Sequence, residues 1–236
     1  MKKLILGSTG SIGSSLARKI VSAGGEVHLV GRDESSLSAL ASELNSSFTT
    51  CDVLEENYSE KITNDLGDTP INGLAYCVGS IDLKPLKLTK KSDFMQSFNL
   101  NLVSAAEIIK SLADNLKQNK GSIVLFSTVA VKQGFPNHAI VSSAKGAVEG
   151  LTLALAAEFA PNIRVNCIAP SLTKSKISEF ILKNEKMADS IAKMHPLKRV
   201  GEGSDSSSVA KFLLSEESSW ITGQILGVDG GRSTVA

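Results

Sequence analysis

The chain has 236 residues, with 25 Lys and Arg against 24 Asp and Glu, so its formal net charge is +1. A nucleic-acid-binding protein would normally carry a basic excess, and a membrane-spanning helix needs an apolar run of about 20 residues. The sequence has neither feature, so we expect it to bind neither a nucleic acid nor a membrane. Cys51, Cys77 and Cys167 are odd in number and far apart, which argues against a disulfide framework or a metal site built on cysteine. We therefore expect a soluble, cytoplasmic protein.

Apolar runs of strand length alternate with amphipathic segments of helix length along the chain. Strands are predicted over 3–6, 27–30, 48–51, 73–78, 122–126, 163–168 and 224–228. Helices are predicted over 12–23, 34–44, 89–118, 137–159 and 205–214, with a more polar helical stretch at 55–66. Strands this apolar are expected where helices cover both faces of a parallel sheet, so the fold class is a three-layer α/β fold, with residues 1–236 as a single domain. The Lys- and Ser-rich segment 171–195 is predicted to be a short substrate lid.

A glycine-rich loop joins the first strand to the first helix. Glycines let such a loop turn tightly and bring backbone N–H groups against a pyrophosphate at the helix N-terminus. The predicted phosphate contacts are Gly7, Ser8, Thr9, Gly10, Ser11, Ile12 and Gly13.

The second strand ends in Gly31-Arg32-Asp33. An acid at the strand end would bind a ribose 2′-hydroxyl, whereas Gly31 followed by Arg32 leaves room and a cation for a 2′-phosphate. We therefore favour NADP(H) as cofactor, with NAD(H) as the alternative. Arg32 could otherwise be a solvated surface cation, and Asp33 suits the N-cap of the next helix in both cases.

Further motifs follow in chain order: Cys51-Asp52-Val53, Cys77-Val78-Gly79, Asn101-Leu102, Ser143-Ala144-Lys145 and Val228-Asp229-Gly230-Gly231. In this order and at this spacing, together with the glycine loop, they resemble the short-chain dehydrogenase/reductase family over nearly the whole chain. The resemblance implies a doubly wound parallel sheet, the Rossmann fold, with NAD(P) lying across the carboxyl ends of the strands. It also implies a homo-oligomer, a dimer or tetramer, assembled through the helices at 89–118 and 137–159 and through the 220–231 region.

The resemblance also implies cofactor contacts outside the glycine loop. Asp52 and Val53 would contact the adenine, and Gly79, with Cys77 and Val78 before it, would pass close to the adenosine ribose. In the family a Pro-Gly pair and a hydroxyl residue lie near the nicotinamide carboxamide. The corresponding residues here are Pro170, Ser171, Thr173 and Ser175, with Ser171 in place of the glycine. Ser11 likewise replaces the middle glycine of the loop, unless Gly10 supplies it in a shifted spacing.

The family's catalytic pattern is only partly present. Its members reduce a carbonyl with a Tyr general acid, a Lys four residues later, a Ser and an Asn. Lys145 and Asn101 match, Thr128 occupies the Ser position with Ser127 as its alternative, and Val141 stands where the Tyr would be. Since Val cannot donate a proton and a positioned general acid contributes roughly 10²–10⁴ in rate, catalysis here requires a displaced proton donor.

His138 is the sequence candidate for that donor. It lies seven residues before Lys145, a step that returns to nearly the same face of a helix. The spacing resembles the enoyl reductase branch of the family, whose Tyr precedes its Lys by seven. The sequence therefore predicts His138 or an ordered water as the acid, against the alternative of a partly solvated residue at the helix start.

Three functions are compatible with these patterns. The near-complete cofactor framework favours an NADP(H)-dependent oxidoreductase acting on a carbonyl, hydroxyl or enoyl group of a small molecule. Val141 motivates the second, a catalytically impaired NADP-binding regulator or pseudoenzyme. The third is a structural subunit that pairs with an active relative.

Overall fold

A computed structural model describes residues 1–235, and its centre is a seven-stranded parallel sheet. The strands are β1 (Lys2–Leu6), β2 (Glu26–Gly31), β3 (Ser47–Thr50), β4 (Ile71–Tyr76), β5 (Ser122–Phe126), β6 (Arg164–Pro170) and β7 (Ile225–Val228). Their order across the sheet is β3-β2-β1-β4-β5-β6-β7. Each predicted strand overlaps one of these, and the predicted fold class, a doubly wound Rossmann sheet, is confirmed.

Helices cover both faces of the sheet. They are α1 (Ser11–Ser22), α2 (Glu34–Leu44), α3 (Tyr58–Leu66), α4 (Lys91–Phe98), α5 (Ser104–Gln118), α6 (Ala130–Gln133), α7 (Ala139–Phe159), α8 (Glu179–Leu182), α9 (Glu185–Lys193) and α10 (Gly203–Leu213). Short 3₁₀ turns lie at Leu86–Leu88, Lys176–Ser178 and Glu216–Ser218. The helix predicted over 89–118 is in fact α4 and α5, joined by a π-helical turn at Asn99–Val103.

Alternate residues of β1 belong to different cores, which explains why the strands are apolar throughout. Leu4 and Leu6 lie in the cluster under α3 and α5, whereas Ile5 lies in the cluster under α1 and α10. Successive side chains of a strand point to opposite faces of the sheet. When helices cover both faces, every side chain is buried, so apolar and polar residues do not alternate along the strand.

The sheet changes its direction of winding at β1. This strand pairs with β2 on one side and with β4 on the other, in parallel register. Ligands of open α/β sheets bind in the crevice outside the carboxyl ends of the strands at such a point. The glycine loop follows β1 and the 77–79 segment follows β4, so both predicted motifs lie at this crevice.

Helix α7 is long and apolar enough to cross a membrane by length and composition alone, with a mean hydropathy of 1.3. In the fold it packs against β5 and β6. Its buried face includes Ile140, Ala144 and Val148. Its place against the sheet accounts for its composition.

Candidate cofactor crevice and active site

The glycine loop has two positions that only glycine fits. Gly7 has a φ of +75°, and a Cβ there would lie 2.9 Å from the backbone carbon of Cys77. A Cβ on Gly13 would lie 2.4 Å from the carbonyl oxygen of Gly7. The loop therefore folds tightly against β4 and against the first turn of α1.

The N-terminus of α1 is open toward the crevice. Its N-cap is Gly10, and no side chain among the described residues caps it. The Gly10 N–H donates to Gly7 O at 3.0 Å and the Ser14 N–H to Gly10 O at 2.9 Å, so the N–H groups between them lack helical acceptors. These groups, on Ser11, Ile12 and Gly13, carry the positive end of the helix dipole and suit a phosphate.

Ser8 and Thr9 have different roles within the loop. Ser8 is fully buried; its hydroxyl accepts the Val30 N–H at 2.7 Å, and its single proton is shared between the carbonyl oxygens of Ile5 in β1 and Val30 in β2. Its own N–H donates to Val30 O, so Ser8 ties the loop to β2 and leaves no polar group for a ligand. Thr9 borders Gly31, where a Cβ would lie 3.6 Å from the Thr9 hydroxyl oxygen.

Asp33 and Arg32, at the end of β2, have different surroundings: one caps a helix and the other is exposed. The Asp33 carboxylate accepts the Ser36 N–H at 2.8 Å, which confirms it as the N-cap of α2. Hydrogen bonds from Ser36 and Ser35 hold the pKa of the Asp33 carboxyl below its usual value. The Arg32 side chain is 80% exposed and only loosely paired, with Nη1 3.7 Å from Asp52 Oδ2. Arg32 is therefore available to an anion at the carboxyl end of β2.

Lys145, Asn101 and Gly79 converge in the crevice. A Cβ on Gly79 would lie 3.1 Å from Lys145 Nζ and 3.2 Å from Asn101 Oδ1. The Asn101 amide nitrogen donates to Ser97 O at 2.8 Å, while Oδ1 is buried and has no hydrogen-bond partner within residues 1–235. The π-helical turn places Asn101 there, and such turns are frequent at functional sites.

Lys145 is a buried ammonium group. Its side chain extends from α7 under β5, where Nζ donates to Phe126 O at 2.8 Å. Burial lowers the pKa of Lys145 to about 8, partly offset by the neighbouring thiols of Cys167 and Cys77. One bond leaves two of its three N–H groups for other acceptors, such as ribose hydroxyls.

The two hydroxyl candidates after β5 are not equivalent. Ser127 is buried and donates to Glu149 Oε1 at 2.6 Å, so it is engaged within the protein. Thr128 is partly exposed, and its hydroxyl accepts only a long bond, at 3.3 Å, from the Ala130 N–H. The geometry favours Thr128 as the residue that faces a substrate.

Val141 is 5% exposed, on the first turns of α7, one turn before Lys145. Pro136 lies before that helix. The helix predicted over 137–159 begins at Ala139, so His138 is its N-cap and the step of seven residues to Lys145 does not lie wholly within the helix. The Nδ1 of His138 is 2.7 Å from Pro136 O, and its ring packs edge-on to Phe135 with centroids 5.3 Å apart. His138 thus borders the start of α7, while its predicted role as proton donor stays a prediction.

The segment after β6 is held by hydrogen bonds among its own residues. The Pro170 carbonyl accepts the Val129 N–H at 3.1 Å. The Thr173 hydroxyl donates to Ser171 O at 2.9 Å, and the Ser175 and Ser178 hydroxyls are 3.0 Å apart. Ser171 also bonds to His195, a residue that the sequence did not point to, because the pair is separated by 24 positions and no motif contains it.

The remaining predicted cofactor residues line the same edge of the sheet. Val53 is buried next to Asp52, whose carboxylate accepts the Leu54 N–H at 3.0 Å. Cys77 and Val78 continue from β4, with the Cys77 N–H bonded to Leu6 O. Burial raises the pKa of the Cys77 and Cys167 thiols to about 12 and that of Cys51 to about 11. All three are free thiols that pack in or beside the core.

A doubly wound sheet, an uncapped helix N-terminus after β1 and a buried lysine at the crevice define a nicotinamide-dinucleotide-dependent oxidoreductase. Residues 7–233 match the family described as Enoyl-(Acyl carrier protein) reductase. A chloroplastic tropinone reductase homolog of Arabidopsis thaliana is 32% identical, over 99% of this chain and 76% of its own. The chain belongs to the short-chain dehydrogenase/reductase family.

Solved structures agree with that assignment. A short-chain type dehydrogenase/reductase from Mycobacterium ulcerans superimposes with a TM-score of 0.92 at 26% identity, over 98% of this chain and 89% of that one. A gluconate 5-dehydrogenase from Burkholderia cenocepacia, in complex with NADP and tartrate, has a TM-score of 0.93 at 25% identity, over 100% and 96%.

Proposed function

We propose that this protein is an NADP(H)-dependent oxidoreductase that interconverts a carbonyl and a hydroxyl group, or reduces an enoyl group, on a small molecule. The observation that supports this most directly is the convergence of Lys145 Nζ and the unpartnered Asn101 Oδ1 on Gly79. A buried cation and an orphaned buried acceptor are costly unless a ligand completes them. The crevice beside them has the phosphate site and the backbone clearance that a dinucleotide needs.

Each crevice residue has one task in this function. The N–H groups of residues 11–13 bind the pyrophosphate, Arg32 binds the 2′-phosphate, and Lys145 binds the nicotinamide ribose. Asn101 holds the polar network beside Lys145, and Thr128 donates a hydrogen bond to the substrate oxygen. The bound cofactor supplies the hydride. Val141 has no proton to give, so the proton comes from a displaced donor, for which His138 is the candidate drawn from sequence spacing.

Calorimetric titration with NADPH and with NADH tests the cofactor assignment. NADPH should bind more tightly, and Arg32→Ala should reduce that preference by about tenfold, since an exposed charge-assisted contact is worth about 1.5 kcal/mol. Arg18→Ala is the matched control, because Arg18 is an exposed arginine already paired with Glu43 at 2.7 Å. Binding of NADH at least as tight as that of NADPH would refute the role of Arg32.

An assay of NADPH oxidation with a panel of ketones and enoyl thioesters tests the reaction. Turnover of a ketone or an enoyl thioester, lost in Lys145→Met, is the expected result. Tight NADPH binding without turnover of any panel member would instead support the cofactor-binding regulator.

We also propose a cytoplasmic homo-oligomer, assembled through the helices that flank the crevice. Apolar side chains on these helices are exposed in the single chain: Met95 on α4, Val103 on the π-helical turn and Leu153 on α7. Trp220, near β7, is 99% exposed. Light scattering should give the mass of a dimer or tetramer, and Leu153→Glu should reduce it, whereas the mass of a single chain would refute the assembly.

A further inference from the structure

A second histidine lies at the carboxyl edge of the sheet, and the function described so far does not use it. His195 follows α9 and is 1% exposed. Its Nδ1 is 2.8 Å from the carbonyl oxygen of Ile191, and its Nε2 is 2.8 Å from Ser171 Oγ. A carbonyl can only accept, so the proton of the neutral ring is on Nδ1 and Nε2 presents its lone pair. The Ser171 hydroxyl therefore donates to His195.

Ser171 follows Pro170, which lies beside Thr128, the residue to which the proposed function assigns the substrate oxygen. In the ladder between β5 and β6, Phe126 is the partner of Ile168. Beyond the end of β5, the Val129 N–H donates to Pro170 O at 3.1 Å, which continues this register to Thr128 and Pro170. Neighbouring strands are about 4.8 Å apart, so Thr128 and Pro170 lie side by side. Ser171 is the next residue after Pro170, so its backbone lies one residue beyond that pair, and its hydroxyl points to His195.

The pair lines a cavity whose wall carries charged groups. Ser171 and His195 line a cavity of about 360 Å³, large enough to hold water. Asp229, after β7, is close enough for its carboxylate to interact electrostatically with His195. The other charged groups of the cavity wall, Arg199 and Asp205, are paired with each other at 2.7 and 2.8 Å. Asp229 is therefore the charged residue of this wall that is not paired with another charged residue of it.

We propose that Ser171 and His195 form a proton relay that protonates the product oxygen in place of the missing tyrosine. The proposal rests on the proposed function. During reduction the substrate carbonyl carbon receives the hydride and its oxygen takes the Ser171 Oγ proton. Ser171 Oγ takes the Nε2 proton of protonated His195, which becomes neutral and is reprotonated by water. In the oxidation direction, neutral His195 accepts the Ser171 proton while Ser171 accepts that of the substrate hydroxyl.

His195→Gln separates a relay from a structural hydrogen bond. The Oε1 of a glutamine can still accept a hydrogen bond from the Ser171 hydroxyl, but the amide cannot take up and release a proton during the reaction. We expect ketone reduction to fall about 10²-fold, together with loss of the dependence of rate on pH and a changed solvent deuterium isotope effect. NADPH affinity, measured by calorimetry, should stay at the wild-type value.

Variants of Ser171 test the other half of the pair. Ser171→Gly installs the residue usual in the family and should cause the same loss as His195→Gln, whereas Ser171→Thr keeps the hydroxyl and should retain most of the rate. Ser208→Ala, at an exposed serine of α10, is the matched control. A wild-type rate and pH profile in His195→Gln, with both lost in His138→Gln, would overturn the relay and identify His138 as the donor.

Combining His195→Gln with Val141→Tyr gives the sharpest form of the test. If the tyrosine supplies the proton directly, the glutamine should have no further effect in that background. If His195→Gln lowers the rate of ketone reduction as much in the Val141→Tyr background as in the wild-type protein, His195 has a structural role and the proposal is overturned. Absence of NADPH-dependent turnover in the wild-type protein would instead overturn the proposed function, and the relay with it, so the two failures are distinguishable.

Discussion

The crevice has a cofactor side, after β1 and β4, and a chemistry side, after β5 and β6, and the two differ in how closely they keep the family pattern. On the cofactor side, Gly7, Gly13 and Gly79 remain, and a Cβ at each would meet backbone or the Lys145 and Asn101 side chains. On the chemistry side, Val141 and Ser171 replace the usual residues. Close backbone approach has no substitute for glycine, whereas a proton can reach the same oxygen from more than one direction.

Gly13→Val should break the cofactor side most severely. The new Cβ would lie 2.4 Å from Gly7 O, so the loop must open and misplace the N–H groups that we propose to bind phosphate. Loss of two such charge-assisted bonds, at about 1.5–3 kcal/mol each, weakens NADPH binding by at least about 100-fold in calorimetry. Gly150→Ala, where a Cβ meets nothing within 4 Å, should leave the affinity unchanged. Normal binding by Gly13→Val would show that the loop does not hold the phosphates.

Val141→Tyr should sharpen the contrast by restoring the family's acid. Compared with Val141→Phe, which adds the same bulk without the hydroxyl, it should raise the rate of ketone reduction by about 10²-fold. The comparison between the two variants is made at saturating NADPH, so that the rate reports chemistry. Equal rates in Tyr and Phe variants would mean that position 141 is not directed at the substrate oxygen.

The strands and the glycine loop could be predicted from the sequence, whereas the π-helical turn could not. The strands were predictable because burial on both faces leaves continuous apolar runs, and the glycine loop because its position between β1 and α1 gives the glycines a steric reason. The π-helical turn at Asn99–Val103 was not, because 89–118 is amphipathic throughout and nothing in it signals a change of helix type.

The Ser171–His195 pair shows a different limit. Hydrogen bonds between residues 24 positions apart depend on how the intervening chain folds, and 171–195 has no motif that defines its path. Ser8 shows the converse: its place in a phosphate loop predicted a ligand contact, whereas the structure uses its hydroxyl between β1 and β2.

Lys145→Met should trade function for stability. Burial lowers the pKa of Lys145 from 10.5 to about 8, so the folded state carries a penalty for its charge. That penalty is full below about pH 8 and disappears above the unfolded value. The substitution removes this penalty but also loses the hydrogen bond to Phe126 O. The net effect should be a rise of about 2 kcal/mol in the free energy of unfolding, or of roughly 4–8 °C in Tm. Calorimetry near neutral pH measures the gain, while turnover is lost; a lower Tm than that of the exposed-site control Lys117→Met would contradict it.

His28 is also buried, like His195, but we expect it to affect only the stability of the fold and not the reaction. It lies on β2, 2% exposed, in a chain of hydrogen bonds: Ser47 Oγ, which accepts from Lys2, donates to Nδ1, and Nε2–H donates to Thr49 Oγ1, which donates to Asp65. Both ring nitrogens are thus saturated by partners on β3, and no step of the proposed reaction passes through them. Burial, with a smaller contribution from Lys2, lowers the pKa of His28 to about 4.

The pH dependence of unfolding tests that contrast, with the smallest expected effect. A depressed folded-state pKa means that the stabilising contribution is complete above the unfolded value of 6.5 and is lost as the pH falls toward about 4. Across that interval the loss should reach about 2 kcal/mol, measured by urea denaturation, and should be absent in His28→Gln, whose amide does not titrate. NADPH-dependent turnover of His28→Gln should keep the wild-type pH profile above pH 6.5, whereas that of His195→Gln should not. If both glutamine variants changed the profile alike, burial and not position in the crevice would explain the behaviour of His195.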